Sequence, residues 1–195
     1  MSFLPDSGQI LVYDTEFTSW KGFRENGFRE PGRYPEIIQF GAVKLDMSDG
    51  LRETAAFECF VRPRENPELS DYIVDLTGIT QAVIDEHGRS FEAAFEDFQR
   101  FTGGDCRAYF SYGEDHWIVS LNCGLNDVVA PEWLKDERNL RDILAERGLV
   151  DPRLASSDLP AAFGLDADFK QHDALGDARA IAMTLRHLLQ EGRIR

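Results

Sequence analysis

Residues 10–17, ILVYDTEF, alternate between the two sides of an extended chain: Ile10, Val12, Asp14 and Glu16 fall on one side, Leu11, Tyr13, Thr15 and Phe17 on the other. The segment begins as a buried strand, and then two carboxylates stand where the apolar pattern should continue. Paired acids are common on solvated strand faces, but these end an apolar strand, where exposure is least expected. Held two residues apart on one face they would repel, and a hard divalent cation, which prefers oxygen ligands, would hold them together.

The rest of the chain supplies a sheet for that strand. Segments 36–46 (EIIQFGAVKLD) and 52–63 (RETAAFECFVRP) are rich in β-formers and flank a turn-like MSDG, so a hairpin is expected, giving with the first strand a three-stranded antiparallel start. Residues 66–80 read as short helical turns leading into a loop. Ser90 is an N-cap ahead of a helix whose Phe91, Phe95 and Phe98 form a core stripe. CRAYFSY (106–112) reads as a strand ended by Gly113, and helices are expected over 115–123, 136–147 and roughly 172–190. No long repeat divides the 195 residues, so a single domain is expected, with its core over about 8–190.

Composition narrows the function classes. With 43% hydrophobic residues and 14 Phe the chain can bury a sizeable core. Cys59, Cys106 and Cys123 lack metal or disulfide spacing and read as reduced core thiols. No secretory leader and no apolar run of membrane-spanning length is apparent, so a cytoplasmic protein with no membrane partner is expected. A formal charge of −14 argues against broad, salt-driven binding to long nucleic acid. A nucleic-acid partner would need local attraction, from bound metals or from one basic loop.

Further acids stand in unusual places. Asp177, Ile181, Leu185 and Leu188 share a helical stripe, which aims Asp177 at the sheet. Taken alone, Asp177 reads equally as a capping or ion-paired residue, with Arg179 and Arg186 near. His172, five residues earlier, would approach the same site from another direction, and an imidazole suits general base work near neutrality. His87, His116 and His187 read as structural. In SYGEDHW, Asp115 starts a helix with Glu114 beside it, and by itself is most simply a carboxylate interacting with the helix dipole.

Taken together, YDTEF, SYGEDHW and HDALGDA, with PEIIQFGAVKLD, FVRPRENPELSD and LTGIT between them, resemble the DEDD-type 3′-to-5′ exonucleases whose last motif is H-x-x-x-x-D, in their Eri-like and KapD-like branch. The resemblance spans roughly residues 8–190. It implies an α/β, ribonuclease H-like fold: a mixed five-stranded sheet flanked by helices. It also implies hydrolysis of terminal phosphodiester bonds of single-stranded or short nucleic acid, RNA favoured over DNA, to nucleoside 5′-monophosphates with two divalent ions, Mg²⁺ or Mn²⁺. Carried over by residue, Asp14, Glu16, Asp115 and Asp177 would hold the ions, Asp115 being chosen over the adjacent Glu114, and His172 would deprotonate the attacking water.

Substrate contacts follow from the same comparison. Leu76, Gly78 and Ile79 in LTGIT match the segment beside the terminal nucleotide, and Thr15 and Phe17 would line the site's edge. LTGIT read by itself is a structural turn. Residues 20–36 carry Lys21, Arg24, Arg29 and Arg33 against Glu25, Glu30 and Glu36, a net +1, with Trp20, Phe23, Phe28 and Tyr34 interleaved. Arg24 and Arg29 are thus candidate contacts to single-stranded phosphates, and a solvated loop or dimer contact reads equally well. Tyr112 stands where many Eri-like members have Trp, and Asp173 and Gly176 where they often have Arg and Asp. Two other function classes fit the same residues: a phosphodiesterase for dinucleotides and very short oligomers, and a non-catalytic nucleic-acid-binding module. The sequence sets no oligomeric state.

Overall fold

A computed structural model describes residues 3–195. In chain order the elements are β1 (Gln9–Phe17), β2 (Ile37–Asp46), β3 (Arg52–Phe60), α1 (Asp71–Thr77), α2 (Gln81–His87), α3 (Phe91–Thr102), β4 (Cys106–Ser111), α4 (Asp115–Leu125), α5 (Glu132–Lys135), β5 (Arg138–Asn139), α6 (Leu140–Glu146), α7 (Leu159–Ala162) and α8 (Ala174–Gln190). Short 3₁₀ turns occupy Met47–Asp49 and Ser156–Asp158.

The strands form one mixed sheet in the order β3-β2-β1-β4-β5. β1 and β2 pair antiparallel, as do β2 and β3, whereas β4 runs parallel to β1 and β5 parallel to β4. The antiparallel hairpin follows from Asp46 capping the 3₁₀ turn, its side chain accepting from Ser48 N, and from Gly50 in the left-handed region. β1 is therefore central, which explains why both of its sides begin apolar.

The alternation along β1 sorts its side chains into two cores. Ile10 and Val12 join Val43 and Leu45 beneath Ile181, Leu185 and Leu188 of α8 and Leu140 and Leu144 of α6. Leu11 and Tyr13 join Phe40 and Ala42 beneath the α3 stripe and Ile118, Val119 and Cys123 of α4. Phe91, Phe95 and Phe98 pack against Phe40 at centroid distances of 6.2, 6.0 and 4.9 Å, the last two stacked, a core role as expected. A smaller cluster of Ile38, Ile73, Ile79 and Ile84 seats α1 and α2 against β2.

Two expectations need correction. The helix expected over 136–147 begins only at Leu140, because Arg138 and Asn139 pair with Phe110 and Ser111 as the edge strand, and the Asn139 side chain caps α6 by accepting from Arg141 N. The last helix starts at Ala174, with Asp173 as its N-cap, so His172 precedes it and does not lie on its surface.

α8 approaches β2 unusually closely. A Cβ on Gly41 would lie 2.1 Å from the Ala174 carbonyl carbon and the Leu175 nitrogen, so only glycine admits the helix here. Gln39 adds direction: its Oε1 accepts from Ala174 N and its Nε2 donates to Asp173 and Glu58. Together they aim the first turn of α8 at the end of β1. Among the described residues no helix is long and apolar enough to cross a membrane.

Candidate active site

Asp14, Glu16, Asp115, His172 and Asp177 line one cavity at the end of β1. Asp14 and Glu16 come from the strand's last turns of pleat, Asp115 from the first residue of α4, and Asp177 from the first turn of α8. All four carboxylates are buried, between 4% and 8% exposed. Ligating atoms of Glu16, His172 and Asp177 lie within 4.8 Å of one another.

Each acid is held by a distinct local device. Thr15 donates to Asp115 Oδ1 from both its backbone nitrogen, at 2.9 Å, and its hydroxyl, at 2.7 Å. The residue on the opposite side of β1 therefore fixes the α4 acid. Asp177 accepts from Ser156 Oγ at 3.3 Å. The reading of Asp177 as a cap or ion-pair partner is overturned, because Asp173 caps the helix, Arg179 pairs with Glu53 at 2.9 Å, and Arg186 donates to Leu51 O at 2.7 Å. His172 sits in the left-handed region at φ 53, a conformation in which histidine is several-fold enriched among non-glycine residues. That turn brings its ring to the cavity without a helix to carry it.

Asp115 and Glu114 part company. Asp115 is buried among the other acids, whereas Glu114 accepts from Arg141 at 3.0 Å and from Arg24 at 3.3 Å in an ion-paired row along the cavity wall.

The electrostatics are those of like charges confined together. Burial, then the charges of Asp115, Asp177 and Glu16, hold the Asp14 carboxyl well above the usual range. Glu16 is raised in the same way, by burial and then by Asp177 and Asp115, with Lys170 opposing. Burial pushes Asp115 up to about 6 against the lowering hydrogen bonds from Thr15, and Asp177 up to about 7 against that from Ser156. A set of hard oxygen donors whose negative charges are so poorly offset fits a divalent cation, which would relieve the repulsion and the burial penalty together.

The other expected contacts divide. Thr15, Phe17, Arg24 and Leu76 line the cavity. Ile79 does not: it is a buried core residue with Ile38, Ile73 and Ile84. Gly78 lies outside the cavity lining as well, closing α1 as a left-handed cap whose N–H reaches Val74 O at 2.8 Å. Arg29 is exposed and outside the lining. Glu36 is not a loop-surface charge, being 2% exposed and accepting the backbone N–H groups of Arg64, Glu65 and Asn66. Without it, four basic side chains on residues 20–35 face two acidic ones, a net +2.

Tyr72, Tyr112, Arg141, Arg153 and Ser156 also line the cavity and were not foreseen. Ser156 and Arg153 belong to a stretch without periodicity or turn-strand pattern. Arg141 sits in an ordinary polar helix start, so only its pairing with Glu114 distinguishes it.

The family profile described as Exonuclease (RNase_T) matches residues 11–111. The 3′-5′ exonuclease crn-4 of Caenorhabditis elegans is 29% identical over 198 residues, covering 94% of this chain and 63% of that protein. ERI1 exoribonuclease 2 of Danio rerio is 37% identical over 208 residues, covering 94% of this chain and 35% of that protein. The chain thus spans less than two thirds of the length of either relative. The nuclease domain of 3′hExo, a DEDDh family member solved bound to rAMP, superimposes with a TM-score of 0.80 at 25% identity, covering 97% of this chain and 96% of that one. The mixed five-stranded sheet with flanking helices is accordingly the ribonuclease H-like exonuclease fold.

Proposed function

Since the chain belongs to the exonuclease family, we propose that it is a metal-dependent 3′-to-5′ exonuclease acting on single-stranded or short nucleic acid, RNA in preference to DNA, and releasing nucleoside 5′-monophosphates. The observation that carries this reading is the convergence of four buried carboxylates and one histidine on a single cavity. A non-catalytic binding module has little use for a base beside clustered acids.

Asp14, Glu16, Asp115 and Asp177 would hold the divalent ions, Mg²⁺ or Mn²⁺. Two such ions, when bound, stabilise charge on the attacking and leaving oxygens of an in-line displacement. The chain's own groups do the rest. His172, half-buried at the cavity edge, accepts a proton at its ring nitrogen from the attacking water. The water oxygen then bonds to phosphorus as the bond to the 3′-oxygen of the penultimate nucleotide breaks, and that oxygen takes a proton from solvent water. Leu76, Tyr72 and Phe17 present apolar surface around the reacting end, suited to seating the terminal nucleoside and excluding bulk water. Arg24, Arg141 and Arg153 on the same wall offer guanidinium groups to the phosphates, with Arg29 reaching a longer strand from the exposed loop.

Incubation of 5′-labelled RNA and DNA ladders, from dinucleotides to about 30-mers, with Mg²⁺, Mn²⁺ or chelator tests the reading. Stepwise shortening from the 3′ end, abolished by chelator and faster on RNA, is expected. Turnover confined to the shortest oligomers would make the protein a dinucleotide-type phosphodiesterase. Absence of cleavage at every length with either metal would leave a binding module.

A further inference from the structure

Trp117 lies two residues beyond Asp115 on α4, followed in sequence by the fully buried Ile118 and Val119, yet it is 42% exposed. Its indole packs at 5.5 Å against Phe28, the rings inclined by 33°. Phe28 lines the cavity, as does Phe17, and these two rings meet edge-on at 5.8 Å. The aromatic row therefore starts inside the cavity at Phe17, passes its rim at Phe28 and ends in solvent at Trp117.

The row is held in place from behind. Phe23 is fully buried and meets Phe28 at 5.5 Å and Trp20 at 5.1 Å, both edge-on. Phe28 itself adopts a left-handed backbone at φ 59, with its N–H bonded to Phe23 O at 2.9 Å. A phenylalanine in that conformation carries a backbone cost. Here the turn presents the Phe28 ring between cavity and indole.

The surroundings indicate what the row would receive. Arg24, its side chain 68% exposed, stands on the same loop and reaches Glu114, beside the cavity. Lys21 and Arg29 are exposed there too, so the loop is locally positive in a chain of formal charge −14. A polyanion with flat apolar faces complements such a surface, and aromatic side chains stack bases irrespective of sequence. The row is also continuous with the cavity that would take the strand's last nucleotide.

We infer that Phe28 and Trp117 form a stacking platform for the bases that precede the terminal nucleotide of a single-stranded nucleic acid. This assignment rests on the reading of the cavity as an exonuclease site. It makes the protein a reader of strand length: a mononucleotide fills the cavity alone, whereas an oligonucleotide gains the platform.

Binding measured in chelator, where no turnover is needed, tests it with two probes, a 5′-labelled single-stranded decaribonucleotide and adenosine 5′-monophosphate. Trp117→Ala is expected to weaken the decamer about tenfold, within the range for one lost base stack, and to leave the mononucleotide unchanged. Trp117→Phe is expected to restore most of the affinity while removing most of the tryptophan quenching that the decamer causes in the wild type. Equal decamer affinity in wild type and Trp117→Ala would overturn the platform, as would equal losses for both probes or a wild type that binds no decamer. Parallel incubation of the wild-type protein with the decamer and Mg²⁺ or Mn²⁺ separates the two readings. Cleavage together with an unaffected Trp117→Ala affinity removes the platform alone, and absence of cleavage removes the exonuclease reading whatever the binding shows.

Discussion

Glu36, just ahead of β2, and the Asp14–Glu16 pair of β1 are acids buried to similar depth, and they live in opposite surroundings. Glu36 points into three backbone N–H groups, accepting from Arg64 at 2.7 Å, Glu65 at 2.9 Å and Asn66 at 2.7 Å. Asp14 and Glu16 face Asp115, Asp177 and each other, and their carboxyls are held above the usual range. A buried carboxylate with fixed donors stabilises a turn, here the chain crossing after β3. A buried carboxylate among carboxylates destabilises the fold until something positive arrives. Burial of an acid alone therefore does not mark a site; the like charges gathered around it do.

The sharpest way to break that contrast is to neutralise one acid of each kind. Asp14→Asn or Asp177→Asn should lower hydrolysis by on the order of 10³-fold or more, by analogy with the loss of preorganised electrostatic groups, while raising the midpoint of thermal unfolding in chelator. Glu36→Gln should do the reverse, placing an amide NH₂ against backbone donors and costing roughly 1–3 kcal/mol of stability, with the activity of the folded fraction retained. Kinetics and thermal melts on all three proteins decide. An Asp14→Asn protein with full turnover, or one less stable than wild type in chelator, would undo the comparison.

Helix placement offers the next test. Gly41→Ala puts a Cβ within 2.1 Å of the α8 backbone, so the helix must move and carry Asp177 with it. A loss of about 10²-fold in turnover is expected from such a misplacement, with roughly 1–3 kcal/mol of destabilisation from overpacking. Glu36→Gln, by contrast, should leave the site's geometry alone.

The smallest effect is the dependence on pH. Folding raises Asp115 to about 6 and Asp177 to about 7 from an ordinary 3.8, so the folded state binds these protons more tightly than the unfolded chain. Their contribution to stability is complete below pH ~3.8 and is lost as pH rises through ~6 and ~7. In chelator the unfolding midpoint should therefore fall between about pH 4 and 7, and Mg²⁺ or Mn²⁺ should flatten that slope. Asp177→Asn in chelator should show a shallower slope than wild type, measured by melts across the same pH range.

Much of this was legible in the residues. The period-two pattern of β1 placed Asp14 and Glu16 on one face, and the helical stripe through Ile181, Leu185 and Leu188 aimed Asp177 at the sheet, because both patterns are local consequences of backbone geometry. The hairpin of β2 and β3 and the Phe stripe of α3 were legible for the same reason. What was not legible came from contacts distant in sequence. The two-residue strand β5 exists only because Phe110 and Ser111 offer it an edge, and Ile79, read as a substrate contact, is claimed by the core beneath α1 and α2. Trp117 carried no local signal, since a lone exposed aromatic on a helix acquires meaning only from Phe28 beside it.

The sequence by itself determined which groups are available: four carboxylates, one histidine and a basic aromatic loop, in an order that resembles one exonuclease branch. Tertiary structure alone decided which of two adjacent acids is buried beside the other carboxylates and which is ion-paired along the cavity wall. Asp115 is turned inward by two hydrogen bonds from Thr15, a hundred residues away, and Glu114 is drawn outward by Arg24 and Arg141. It likewise decided that His172 reaches the site from a left-handed turn ahead of α8, not from the helix itself. The physical reason is the same in each case. Periodicity assigns a side chain to a face, but its direction at the end of an element is set by partners that only the folded chain brings near.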